Sequence, residues 1–518
     1  MATPKPPAGS RFPDLRRMVR ARRRHREPAP VITEVGDGIV PASDRLRAVE
    51  PAAIAGRAKR YRTTALIIAC ALFMQNLDAT VLATALPTMA RGFGVRATEM
   101  GLALTAYLLA LAVFIPASGS AADRFGARRV FQSAIALFVA GSVACGFASS
   151  MGFLIAARFV QGIGGAMMVP VGRLVMLRTV DKRDLVSATT WLTMPGLVGP
   201  ILGPPVGGFL VTYLDWRWIF WINVPMGVLG VVLVHRFIPD VRASATAAFD
   251  RIGFLLSSLG LGSLLFGLEL ASRPGHWRIA LPLVAFGLAC AILYIRHARR
   301  TTRPILDLSL LRVPTFGLSM AAGTLSRITQ GAQPFLLPML MQLGFGLTAA
   351  KSGMVTVATA IGSFAMKGAA RRILRRFGFR TSLIAIGLLA PAAYAVTGLF
   401  RPSWPYPAMF AVLLVCGFLS SLQFTAYNSI AYDEVDQSRM SAATSFYATV
   451  QQLSLSLGIC VASGVLALVM AARGHASPSF GDFSAAIWSV TAISLGALFF
   501  NNRLSPDAGA ELSGHRRG

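Results

Sequence analysis

Acidic residues are scarce in this sequence: 22 Asp and Glu stand against 50 Lys and Arg in 518 residues. Charge of either sign is thin at 14%, whereas 54% of the chain is hydrophobic and the mean hydropathy is +0.59. That balance excludes a soluble enzyme. It also removes the nucleic-acid reading that a net charge of +28 would invite, because the basic residues sit between long apolar runs and in the N-terminal stretch. The six His all lie outside the helix cores, which leaves no clustered His for an embedded enzyme. The five cysteines (Cys70, Cys145, Cys290, Cys416, Cys460) fall singly inside apolar runs, with no metal-site or disulfide spacing, and read as packing residues. No Gly-x-x-x-x-Gly-Lys phosphate loop occurs, so ATP is excluded as direct energy source, and no cofactor or metal is expected. No apolar core follows the basic run Arg22–Arg26, so no cleavable leader is expected.

What is present is a succession of apolar runs. Spans are expected near 64–87, 100–121, 129–149, 151–176, 187–213, 217–239, 252–271, 278–296, 315–341, 352–370, 380–400, 406–431, 440–471 and 484–500. Each approaches or exceeds the ~20 residues a helix needs to cross hydrocarbon. The fold class is therefore an all-α polytopic membrane protein. Basic residues collect in alternate turns: Arg124, Arg128 and Arg129; Arg178, Lys182 and Arg183; His235 and Arg236; Arg296, Arg299, Arg300 and Arg303; and Arg371, Arg372, Arg375, Arg376 and Arg380. This bias orients the chain in a cell (inner or plasma) membrane with both termini cytoplasmic. The turn Asp123-Arg-Phe-Gly-Ala-Arg-Arg129 is echoed by Arg375-Arg-Phe-Gly-Phe-Arg380. With the seventh and eighth spans set aside, each turn joins the second and third helix of a six-helix set. The expected organisation is a disordered basic tail (1–61), a six-helix bundle (62–239), a two-helix insert (240–300), a second six-helix bundle (301–503) and a C-terminal tail (504–518). Paired halves with a binding site between them are a common transporter plan.

The fifth span carries Pro195-Gly-Leu-Val-Gly-Pro-Ile-Leu-Gly-Pro-Pro-Val-Gly-Gly208, a loop-like composition that a bilayer forces into a helix. Gly199, Gly203 and Gly207 then form a smooth stripe for close helix approach. Gly196, Pro200, Pro204 and Gly208 form the next, where missing amides should bend the helix. Charges inside spans are few, and each is a functional candidate. Asp78 in the first span and Arg158 in the fourth lie at similar depth. They read either as a static ion pair or as a carboxylate that exchanges its arginine for a proton. Arg327 in the ninth span, with Gln330 one turn on, has no acidic residue in its own span; it either meets a carboxylate from another helix or faces a watery cavity, and the cavity is the favoured reading. Gln161, Gln333, Gln423, Asn428, Gln451 and Gln452 add uncharged polar groups for hydrogen bonds between helices. Glu269, beside a turn, reads as a solvated interfacial carboxylate. Trp216, Trp218, Trp221, Trp277 and Trp404 read as an aromatic belt.

These motifs together resemble the major facilitator superfamily. Gly119 to Arg129 resembles its loop 2–3 signature, Arg158-Phe-Val-Gln-Gly-Ile-Gly-Gly165 its helix 4 signature, and Gly199 to Gly208 its helix 5 antiporter motif. Leu77-Asp-Ala-Thr-Val81, Ala85-Leu-Pro87 and Trp216 to Pro225 are similar to the fourteen-helix drug:proton antiporter (EmrB/QacA-type) branch. Arg327, Pro334-Phe-Leu-Leu-Pro338 and Gln342-Leu-Gly-Phe-Gly346 resemble its MdtD subgroup of multidrug exporters. The resemblance implies a proton-coupled exporter working by alternating access between two bundles, with a small-molecule substrate, protons and the lipid bilayer as partners, no nucleic acid, and a monomer as working unit. It implies a cytoplasmic gate at Gly119, Asp123, Arg124, Gly126 and Arg128, and a proton or substrate role for Asp78 and Arg158. It also implies a fifth helix (Gly199, Pro200, Gly203, Pro204, Gly207, Gly208) that seals the outer side against the opposite half. One departure stands out: spans nine to fourteen hold no acidic residue well inside, which argues against a dication and for an organic anion or metal chelate. A transporter-like sensor, a channel and a membrane-embedded enzyme are the readings from other classes. A channel lacks its polar line, and an enzyme lacks its cluster.

Overall fold

The computed structural model describes residues 42–180, 185–239, 249–271, 275–302, 304–436 and 439–513. The chain divides into two units, Met1–Ala58 and Lys59–Gly518. In the first, residues 1–41 lie outside the described residues, and helical backbone is described from Ala42. Residues 42–61, which the sequence places in the basic tail, are described as helical backbone. The stretch is rich in Ala and Arg, which are strong helix formers, and it is helical without needing an apolar face.

Every described long element is a helix. α1 (Ala42–Phe93) is followed by α2 (Gly101–Phe125), α3 (Ala127–Gly146), α4 (Met151–Thr179), α5 (Leu185–Tyr213) and α6, whose two parts Trp218–Trp221 and Asn223–Phe237 are joined at Ile222. α7 (Arg251–Ala271) and α8 (Trp277–Ala298) form the insert. α9 (Pro314–Met339) opens the second set. The helical run Ala349–Thr397 is two helices, α10 (349–377) and α11 (379–397), separated at Gly378. α12 (Tyr406–Ile430), α13 (Met440–Arg473) and α14 (Phe480–Asn501) complete it. Among the described residues, eleven helical runs are long and apolar enough to cross a membrane by length and composition. The division at Gly378, together with α5 and α9, puts a helix at each of the fourteen expected places.

The two echoed turns are built alike. Gly126 and Gly378 hold the same place after Arg-Phe, with φ of 92° and 71°, a left-handed backbone that glycine adopts without strain. Helices α2–α6 pack among themselves, as do α9–α14, and α1 packs on α5 and α4. Two seams join the sets: α5 along α10, and α2 along α13. The insert helices pack on each other, and α7 reaches both α2 and α13. Phe147, Phe153, Leu255, Ile279 and Leu468 are each at least half exposed, an apolar surface that a lipid environment accounts for.

At the basic end, the carboxylate of Asp250 ties the insert to the chain leading into α9. It accepts from the Gly253 and Ile305 amides at 2.8 and 3.2 Å and meets His297 Nε2 at 2.8 Å. Burial pushes the Asp250 carboxyl up, but these bonds outweigh it and hold it below the usual carboxylate range. The chain after α14 folds back: Leu504 is buried, and Gly509 donates to Asp433 at 2.9 Å before a short α15 (Ala510–Ser513). Lys182, Arg183 and residues 514–518 lie outside the described residues.

Candidate functional site

Asp78 sits past the middle of α1, where an apolar helix surface is interrupted by a single acid. A carboxylate there needs donors from other helices. Arg158 and Gln161, three residues apart on α4, share one face and supply two of them. Arg158 Nη1 lies 2.7 Å from Asp78 Oδ2, and Gln161 Nε2 donates to Oδ1 at 2.9 Å. A third donor comes from Asn223 Nδ2, 2.8 Å from Oδ1, at the point where α6 resumes after its break. Asn223 also donates to Ser142 Oγ of α3 at 3.0 Å, and Arg158 Nη1 donates to Gln161 Oε1 at 2.6 Å. The Tyr107 ring of α2 covers the guanidinium at 4.4 Å. α3 and α4 cross closely enough that a Cβ on Gly141 would lie 2.6 Å from the Gln161 amide nitrogen. Asp78 is 3% exposed, while Arg158, Gln161 and Asn223 are fully buried, so the network is sealed within the first set of helices. Arg158 Nη2 and Asn223 Oδ1 have no hydrogen-bond partner there.

Nearby, a cavity of about 210 Å³ lies between the two sets of helices. Thr80, Thr84, Pro200 and Pro204 line it from α1 and α5; Gln333, Pro334, Thr356 and Ser363 line it from α9 and α10. None of its lining residues is charged. The seams tighten toward the end away from the basic turns. There Ala350 N donates to Thr212 Oγ1 at 3.0 Å, and Gln342 Nε2 donates to the Thr84 carbonyl at 2.9 Å. A Cβ on Gly208 would lie 2.8 Å from Ala350 Cα, and one on Gly353 2.8 Å from the Pro204 carbonyl carbon. The two stripes of α5 therefore face different partners. Gly199, Gly203 and Gly207 pack on α1 within their own set: a Cβ on Gly203 would meet Thr80 Cβ at 2.6 Å. Gly208 and Pro204 make the contact with the opposite set. α5 runs as one helix through Pro195, Pro200, Pro204 and Pro205. The carbonyl of Gly196, whose usual donor Pro200 lacks, accepts from Asn76 Nδ2 at 3.1 Å.

Arg327 departs from expectation. It is 1% exposed and does not line that cavity. Its guanidinium donates to the Tyr447 hydroxyl and lies over the Tyr447 and Phe424 rings at 4.9 and 5.6 Å. Nε and Nη1 have no hydrogen-bond partner, and among the described residues no carboxylate pairs with it. Gln330, one turn on, donates to the Ser420 carbonyl at 3.4 Å. Glu269 is a second correction. It is 1% exposed, because α7 turns that face onto α13 and not to the interface. Trp218 and Trp277 are exposed as a belt requires, but Trp216 is buried against Phe93 at 5.3 Å.

A family model described as Major Facilitator Superfamily matches residues 68–459. The chain belongs to the major facilitator superfamily. Two relatives provisionally named multidrug resistance protein MdtD, from Escherichia coli O6:H1 (strain CFT073) and Shigella flexneri, are each 37% identical over 406 residues, covering 78% of this chain and 85% of theirs. Among solved structures, a D-xylose-proton symporter is similar at 14% identity with a TM-score of 0.62, over 86% of this chain and 98% of that one. The human organic anion transporter MFSD10 (TETRAN) is similar at 15% identity and 0.58, over 85% and 99%. These likenesses show the major facilitator fold.

Within this major facilitator chain the turn between α2 and α3 has a divided structure. Arg128 donates to the Ile238 carbonyl at the end of α6 at 3.2 Å. Arg124 is exposed over Phe125, Gly119 faces open space, and Asp123 is half-buried. Asn223, Ser142 and Tyr107 were not singled out in the sequence as site residues. Asn223 carried a usable signal, an amide inside an apolar run directly before Val-Pro. Ser142 and Tyr107 carried none, since small hydroxyls and tyrosines are common in such helices.

Proposed function

We propose that this major facilitator transporter is a proton-coupled exporter that works by alternating access. The observation that carries the reading is the Asp78–Arg158 pair at 2.7 Å, buried in the set of helices that borders the cavity. The carboxylate takes a proton to become a carboxylic acid, its attraction to Arg158 falls, and the freed guanidinium shifts the helices that hold it. Release of that proton restores the pair. The basic turns support a cytoplasmic position for their end of the bundle. The seams at Gly208 and Gly353 then close the outer side, and the cavity beneath is the substrate position. Its uncharged lining of hydroxyls, one amide and apolar surface suits varied small molecules, in keeping with the name of the MdtD relatives. Pro204 and Pro338 lack the N–H that would occupy the Pro200 and Pro334 carbonyls, which leaves acceptors for a substrate's donors.

A second reading, an organic anion or metal chelate as substrate, is favoured by Arg327. A buried guanidinium with two nitrogens unpartnered can accept a carboxylate once the second set of helices opens. The test is efflux from proteoliposomes under an imposed pH gradient, with ethidium and carboxyfluorescein as probes. Uphill movement of either dye that collapses with the gradient is the expected result, and the dye that moves selects between the readings. A sensor or channel gives no uphill movement.

A further inference from the structure

α10 carries a charge well inside its span that the coupling scheme does not use. Thr356, Ala360 and Ser363 line the cavity, and Lys367 follows them on one helical stripe, at spacings of four, three and four residues. Met354, Ile361 and Phe364 are exposed on a different face of α10, the one a bilayer covers. At 1.5 Å per residue, Lys367 branches from the helix about 6 Å beyond Ser363 toward the basic turns. It is still about 15 Å short of the end of α10 at Phe377, with Arg371, Arg372, Arg375 and Arg376 in between. A four-carbon stem does not reach the headgroups from there, so snorkelling does not account for it. Lys367 is exposed, and its Nζ donates to Thr425 Oγ1 of α12 at 3.2 Å. An ammonium has three donors, so two remain, and among the described residues no carboxylate pairs with it.

The surroundings add positive charge and no acid. Arg327 lies over the ring of Phe424, next to Thr425, so cations from α9 and α10 contact adjacent residues of α12. Arg327 Nε and Nη1 are themselves without hydrogen-bond partners. Arg173 of α4, in the first set, is exposed. Burial pushes up the Tyr432 hydroxyl, just past the end of α12, and the Arg173 and Arg327 guanidiniums both oppose that rise. Both sets of helices thus bring a cation within electrostatic reach of one another's walls on this side of the cavity. The seams are tight at the opposite end, at Gly208 and Gly353, which leaves the side of Lys367 as the approach.

We propose that Lys367 is a specificity-determining residue that binds a carboxylate of the substrate, with the uncharged body of the molecule in the adjoining cavity. A charge inside a span is costly without a counter-charge, and a docked carboxylate supplies one. Its oxygens accept from the two free donors of the ammonium, in short charge-assisted bonds. A cationic molecule on the same route meets Lys367, Arg327 and Arg173, and no acid among the described residues offsets them. Hydroxyls and apolar surface in the cavity then hold the remainder of the substrate. The inference rests on the organic-anion reading above and gives it an anchor on α10, on the cavity-lining face and separate from Arg327.

Binding tests this without any transport. The purified full-length chain in neutral detergent is titrated with carboxyfluorescein and, separately, with ethidium, and fluorescence anisotropy reads the bound fraction. The unaltered chain should bind carboxyfluorescein. Lys367→Met, of similar length and without charge, should weaken that binding by about tenfold or more, the loss of one charge-assisted hydrogen bond, and should not weaken ethidium binding. Lys367→Arg keeps the charge and should retain most of the carboxyfluorescein binding. Should Lys367→Met fail to fold, judged by its unfolding midpoint, Lys367→Gln takes its place with the same expectation. Carboxyfluorescein binding that is absent in the unaltered chain, or equal in Lys367→Met, overturns the proposal. So does a loss shared equally by both dyes, or one that Lys367→Arg shows as fully as Lys367→Met. If carboxyfluorescein binding depends on Lys367 but neither dye moves uphill in proteoliposomes, the exporter reading falls and this one stands. If ethidium moves uphill and carboxyfluorescein does not bind, the exporter reading stands and this one falls.

Discussion

Replacing Asp78 by asparagine tests the coupling network at its centre. Asp78 accepts from Arg158, Gln161 and Asn223 at 2.7, 2.9 and 2.8 Å, and every one of these contacts is buried. An asparagine keeps the shape but presents one amide nitrogen toward a donor and removes the charge that balances Arg158. Breaking one partner of a buried ion pair costs about 3–5 kcal/mol, because the other charge stays buried without compensation. That is roughly a hundred- to several-thousand-fold in the folded-to-unfolded ratio. Asp78→Asn should therefore lower the unfolding midpoint of the purified protein in detergent and abolish uphill efflux in proteoliposomes. Asp78→Asn combined with Arg158→Gln removes both charges, and most of the stability should return while efflux stays absent. Stability and function are thus expected to separate in the double variant. Unchanged stability and retained uphill efflux in Asp78→Asn would refute the reasoning, and so would a double variant whose losses simply add.

Two further predictions concern α5 and Arg327. Gly208→Val should jam the α5–α10 seam, where even a Cβ would lie 2.8 Å from Ala350 Cα, and abolish efflux with the protein still folded. Gly203→Leu should instead destabilise the first set of helices itself, since it collides with Thr80 of α1; overpacking of this kind costs at least about 1–3 kcal/mol. Thermal unfolding of the two variants side by side checks the distinction, and equal midpoints would contradict it. Arg327→Lys keeps the charge but loses the planar fork, and should slow carboxyfluorescein efflux by roughly tenfold, about one charge-assisted hydrogen bond, while leaving ethidium efflux unchanged. Equal loss for both dyes would remove Arg327 from anion recognition.

The sequence by itself determined the membrane class, the sequence of spans, the repeat at Gly126 and Gly378, and the depth at which Asp78 meets Arg158. Each follows from properties that run along the chain. Hydrocarbon demands helices of a given length, basic residues mark one end, and a fixed rise per residue converts position into depth. Family motifs added the superfamily, because they are contiguous stretches. What a helix touches around its circumference was beyond that reading. The stripe of Gly199, Gly203 and Gly207 was legible, but only packing decided that it meets α1 and that Gly208 meets α10. Asn223 enters the site because α6 breaks at Ile222 and aims it at Asp78. Glu269 and Arg327 show the same limit from two sides. Position near a turn suggested water for Glu269, and the lack of an acid in its span suggested a cavity for Arg327. The tertiary structure instead turned one onto α13 and enclosed the other between aromatic rings. Rotation about a helix axis is fixed by the neighbours it packs against, and those neighbours are distant in sequence.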